Sequence, residues 1–144
     1  MFDIGVQRFF GSDKQRLFLS PWLHLSRSII AGNDCPSTDC TNNKFYYLGS
    51  SSFSWADGSD HSLTMNDEVV HKEHDASDIV YYHRDKPGQE LSFYVVSKST
   101  LMKDFDYDGV LALGPGDDEY SPYKAFEKEF PDQVAAIDMW DFTV

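Results

Sequence analysis

The stretch Asp106-Tyr107-Asp108-Gly109-Val110-Leu111-Ala112-Leu113-Gly114 decides how the rest of the chain is read. A short apolar run, Gly109–Leu113, stands between an aspartate-rich approach and the turn Gly114-Pro115-Gly116-Asp117, the pattern of a buried strand with hard stops. Working outward, similar strand-like runs occur at Arg16–Leu19, Ile29–Ala31, Lys44–Leu48, Phe53–Trp55, Leu63–Val70, Ile79–Tyr82, Leu91–Val96 and Ala136–Val144. Turn residues separate them at Gly11-Ser12-Asp13, Gly32-Asn33-Asp34, Asp57-Gly58-Ser59 and Lys86-Pro87-Gly88. One segment reads as helix. Ser121 is placed to cap it, Pro122 to open it and Pro131 to stop it, with Tyr123, Phe126 and Phe130 on one face. Many short strands and one late helix predict a mostly β fold, in a sandwich or barrel-like arrangement, over a single domain spanning 1–144.

Composition narrows the function. The 144 residues carry 12 Lys+Arg against 24 Asp+Glu, a formal net charge of −12. That balance disfavours nucleic acid and anionic membrane surfaces, both of which require basic patches. Apolar residues make up 41% and aromatics 15%, too much for a disordered chain. No apolar run is long enough to span a bilayer, and Met1–Phe10 lacks the basic-then-apolar order of a signal peptide.

Most local chemical signals have plainer readings. Asp104-x-Asp106-x-Asp108-Gly109 imitates the start of a calcium loop, but Pro115 stands where the bidentate glutamate belongs. His71, His74 and Asp75 offer two imidazoles and a carboxylate; a polar loop accounts for them without a metal, and no metal or cofactor is expected. His24, Ser20 and Ser26 lie close together without a nucleophile elbow. The acidic Gly114–Glu119 turn is no phosphate cradle. Cys35 and Cys40 are too few for a structural zinc site; they are either reduced thiols in a surface loop or a disulfide closing a small one.

In order along the chain, several of these segments resemble the N-terminal lobe of pepsin-like aspartic proteases. Asp106–Gly114 is similar to that family's F-D-G-I-L-G-L-G strand, with Ala112 at one of its glycines. Cys35-x4-Cys40 followed by Phe45 is similar to its C-x4-C disulfide loop, Phe53–Ser59 to its flap sequence I-x-Y-G-T-G-S, and Asp67-Glu68-Val69 to its D-T-V. The stretch between Phe45 and Phe53 is shorter than the family's, and His71–Glu90 is longer and more polar.

The resemblance implies a disulfide between Cys35 and Cys40 and a cleft lined by Trp22, His24, Trp55, Asp57 and Gly58. It also exposes a loss. Family catalysis needs two aspartates that share a proton, yet counting back from Cys35 sets the catalytic D-T-G on Trp22-Leu23-His24. The expectation is therefore a catalytically inactive, single pepsin- or retropepsin-type lobe within a longer protein. It would act as a protein-interaction or homodimerisation module, paired with a copy of itself or a second lobe, or as a non-cleaving peptide-binding cleft; a residual hydrolase is the remaining alternative. The disulfide loop points toward a secretory ancestry. The absence of a leader and of any N-x-S/T acceptor permits an intracellular domain and slightly favours it, so the compartment stays open.

Overall fold

The structure, a computed structural model, describes residues 5–40, 42–56, 58, 60–100, 102–115, 121, 122 and 124. Eight strands form one mixed sheet: β1 (Val6–Phe10), β2 (Gln15–Trp22), β3 (Ser28–Ala31), β4 (Ser54–Trp55), β5 (His61–Met65), β6 (Glu68–Tyr81), β7 (Gln89–Ser99) and β8 (Gly109–Ala112). Their order is β1-β2-β8-β3-β7-β6-β4, with β5 also on β6. β1 pairs with β2 along its length and touches β6 through Phe9↔Tyr81 and Phe10↔Val80. The sheet thus returns on itself, in keeping with the barrel-like expectation.

Alternation fixes which side chains point inward. Leu17 and Leu19 on β2, and Leu91, Phe93 and Val95 on β7, are buried, while Arg16 and Phe18 on either side of Leu17 are exposed. They meet Phe10, Ile30, Phe45, Val80 and Leu111 in the main core. Phe10 and Phe93 pack edge to face at 5.3 Å, and Phe45 lies 5.7 Å from Phe10. A smaller cluster, Ala31, Cys35, Cys40 and Val96, forms a second apolar nucleus. Cys35 and Cys40 are joined there as a disulfide, which resolves the two open readings.

β8 is buried at all four positions, as its unbroken apolar run requires. It lies between two strands that follow one another in the chain, parallel to β2 and antiparallel to β3. Gly109 makes that insertion feasible: a Cβ there would sit 2.4 Å from the Ile29 carbonyl oxygen. Beside it, buried Asp108 accepts the Phe18 and Asn43 amide hydrogens at 2.8 and 3.1 Å, so its carboxylate pins the start of β8 to β2 and to the loop after the disulfide.

Four sequence expectations change. Lys44–Leu48 is not a strand: Phe45 makes a single bridge to Gly32, and Tyr47–Gly49 form a 3₁₀ turn. Leu63–Val70 is the tip of a hairpin, because Asn66 and Asp67 both adopt positive φ (52° and 63°) and reverse the chain between β5 and β6. His71–Asp75 is not a polar loop but the middle of the 14-residue β6. Val6–Phe10, passed over as strand, pairs on two sides. Ser121 is buried and its Oγ accepts the Lys124 amide hydrogen at 3.2 Å. The rest of the expected helix, and the strand at Ala136–Val144, lie outside the described residues.

Candidate functional site

The residues expected to line one cleft fall into two separate aromatic groups. Trp22 ends β2, opposite Ala112. Its indole N–H donates to Ser20 Oγ at 3.1 Å, and its ring stacks on His24 at 5.3 Å and meets the edge of Phe105 at 6.4 Å. Leu23 and His24 are exposed in the turn that follows. Gly114 closes against this turn, donating its amide hydrogen to Leu25 O at 2.8 Å. Trp22-Leu23-His24 itself supplies no carboxylate.

Trp55 lies on β4, with Tyr47 and Phe53 each 4.9 Å away and His74 at 5.0 Å. Among the described residues the two tryptophans share no ring neighbour. Phe53–Ser59, similar to the flap sequence, contains the two-residue β4, Ser54–Trp55, paired with β6 at Ser77 and Ala76; β5 and β6 form a hairpin after it. Gly58 is exposed and its amide hydrogen bonds Ala56 O at 2.8 Å. Asp57 lies outside the described residues.

Around Trp55 the side chains of β6 and β7 open a cleft of about 400 Å³, lined by Asp34, Asp60, Lys72, His74, Val95 and Ser97 as well as Trp55 itself. Two carboxylates face it. Asp60 pairs with His74 Nδ1 and, at 3.5 Å, with Lys72 Nζ. The His74 hydrogen bond holds the Asp60 carboxyl below its usual range; Lys72 acts the same way and slight desolvation opposes both. Asp34 accepts a hydrogen bond from the Tyr47 hydroxyl. Burial first, and Asp34 second, raise the Tyr47 phenol above its usual value, so it remains a proton donor.

On the opposite side of β6, Asp75 pairs with Arg27 at 3.2 Å and His61 at 3.5 Å, and both partners contact the Tyr94 ring. His71 bridges Glu73 (2.6 Å) and Ser99 Oγ (2.8 Å). That string has the residue types of a hydrolytic relay. Ser99, however, is completely buried and its Oγ also accepts the Met102 amide hydrogen at 3.2 Å, so the hydroxyl fastens a loop and faces no substrate. The most buried carboxylate, Asp78, is likewise consumed: Ser50 Oγ, Ser52 Oγ and the Ile79 amide donate to it at 2.7, 2.5 and 2.7 Å. Among the described residues no group of three or more His, Cys, Asp or Glu is placed to hold a metal ion. No helix among them is long and apolar enough to cross a membrane.

No protein-family model matches the chain, and no curated protein matches it either. The reading therefore rests on geometry. Sequence reasoning missed the β5–β6 hairpin, and the signal was present: Asn66-Asp67 is a dipeptide suited to two successive positive φ angles, flanked by Leu63-Thr64-Met65 and Glu68-Val69-Val70.

Proposed function

We propose that this chain is a non-catalytic binding domain, a degenerate aspartic-protease-like lobe that receives an extended segment of another protein along β5. One observation carries the reading. Among the described residues β5 pairs with β6 alone, all five of its residues are exposed, and they include Leu63 and Met65. Edge strands that must stay unpaired usually carry lysine, proline or an inward charge. His61-Ser62-Leu63-Thr64-Met65 carries none of these, so its backbone is open to strand addition and its apolar side chains offer specificity.

The loss of peptidase chemistry is part of the same reading. It is supported by the composition of the Trp22–His24 turn and by the engagement of Asp78 and Asp108 in separate backbone and hydroxyl hydrogen bonds. Two carboxylates that never meet cannot share a proton.

An array of extended peptides probed with the wild-type chain and with a Leu63→Lys/Met65→Lys double variant tests the proposal. Retention of a peptide subset by the wild type, lost in the double variant, is the expected result. Sedimentation equilibrium of both proteins separates the alternative occupant: if the wild type dimerises and the variant does not, the segment received at β5 is that of a second copy. Equal peptide retention by both proteins would sink the proposal, as would cleavage of the peptides.

A further inference from the structure

The cleft beside Trp55 has a charge and shape that select a ligand class. Its lining holds two carboxylates, Asp34 and Asp60, and Asp60 is paired with Lys72 and His74. Among the lining residues no cation pairs with Asp34. The rest of the lining is the Trp55 ring and Ser97 beside the core residue Val95, with Tyr47 packed against Trp55 and bonded to Asp34. An aliphatic stem ending in a single positive charge complements such a surface, since the stem packs on the rings while the cation meets both π-electrons and carboxylate. The net charge of −12 attracts ligands of that sign from a distance.

We propose that the Trp55 cleft binds a basic side chain, a lysine or arginine of the extended segment, with Asp34 as its carboxylate partner. The placement agrees with the β5 reading, on which the identity of the segment rests: Asp60 immediately precedes β5, while Lys72 and His74 come from the strand that β5 pairs with. Asp34 is the better partner because Asp60 is already engaged by Lys72 and His74, whereas the Asp34 carboxylate is met, among the described residues, by the Tyr47 hydroxyl. The close approach of Tyr47 and Asp34 depends on Gly32. A Cβ there would fall 2.9 Å from Asp34 Oδ1 and 3.2 Å from the Tyr47 ring.

The test uses the whole chain at pH 8 and a minimal probe, Nα-acetyl-lysine methylamide, with Nα-acetyl-norleucine methylamide as its uncharged counterpart. The Trp55 indole N–H resonance reports occupancy. Saturable shifts with the lysine probe alone are expected. Asp34→Asn should weaken binding by about three- to tenfold, and so should Trp55→Leu, followed through the Ser97 backbone amide resonance in place of the lost indole, the range of a part-exposed ion pair or cation–π contact. Ser97→Lys, which places a competing cation in the cleft, should abolish it. Equal response to both probes, or full affinity in Asp34→Asn, overturns the proposal. The Leu63→Lys/Met65→Lys variant should bind the small probe as the wild type does. Failure of peptide capture together with normal lysine binding would therefore fall on the β5 reading, and capture of peptides regardless of basic residues would fall on the cleft.

Discussion

The two halves of β6 obey different rules although they are one continuous strand. From Ala76 to Tyr81 the strand has β7 on one side and β4, then β1, on the other, and Ala76, Asp78 and Val80 are buried. From Glu68 to Glu73 it carries β5, and its residues are exposed or half-buried. In the inner half one carboxylate, Asp78, takes three hydrogen bonds, because a buried charge without them would cost several kcal/mol. In the outer half the pairs lie nearer solvent, close between His71 and Glu73 at 2.6 Å and loose between Lys72 and Asp60 at 3.5 Å. Identical residue types therefore fasten the core at one end of a strand and, on the proposed reading, serve recognition at the other.

The sharpest way to break that contrast is to empty the inner half. Phe93, opposite Ala76 and fully buried, should cost about 4 kcal/mol when changed to Ala, read by urea denaturation. Asp78→Ala should cost about 3 kcal/mol, because Ser50, Ser52 and the Ile79 amide all lose their acceptor. A loss below 1 kcal/mol at either position would remove the distinction. In the outer half, Leu63→Lys should move stability by no more than about 0.5 kcal/mol, even as it removes partner binding. The smallest effect concerns acid. Because the folded Asp60 carboxyl is held below its unfolded value, its contribution is present above the ordinary carboxylate range and fades as pH falls through the lower folded value. Thermal midpoints of the wild type and Asp60→Asn should differ slightly at pH 6 and converge as the pH falls below the ordinary carboxylate range. A difference that grows on acidification would reverse the sign of the pairing.

How much was legible in the sequence follows the same division. β8 and the inner strands were readable because the core imposes uninterrupted or alternating apolar runs, as at Gly109–Ala112 and Leu91–Val95. In the outer half of β6, Glu68–Val70 was readable as strand but His71–Asp75 was not. His71–Asp75 is polar at every position, since neither face meets the main core until Ala76, and a strand with two wet faces looks like a loop. Phe45 misled in the opposite direction: it is a core residue held by a single bridge and a 3₁₀ turn, so burial there comes without a strand. For the candidate site, Trp55 was reached through the similarity of Phe53–Ser59 to a flap sequence. Its neighbours Asp34, Asp60, Lys72 and His74 come from separate segments that only the sheet brings together.

The position of β8 between β2 and β3 sets a schedule for the growing chain. β2 and β3 are made early and are joined by a short turn; β2 can pair with β1 at once and β3 with β7 later, but the edge each turns toward the other stays open until Gly109–Ala112 has emerged from the ribosome. Until then Leu19 and Ile30 flank a missing strand, and the nascent chain must keep that gap from closing on itself or on another copy. Completion is late and abrupt. The last described strand to be synthesised fills the place between β2 and β3, so truncation before Gly109 should leave β1 and β2 joined to the other described strands by the two-residue β1–β6 pairing alone.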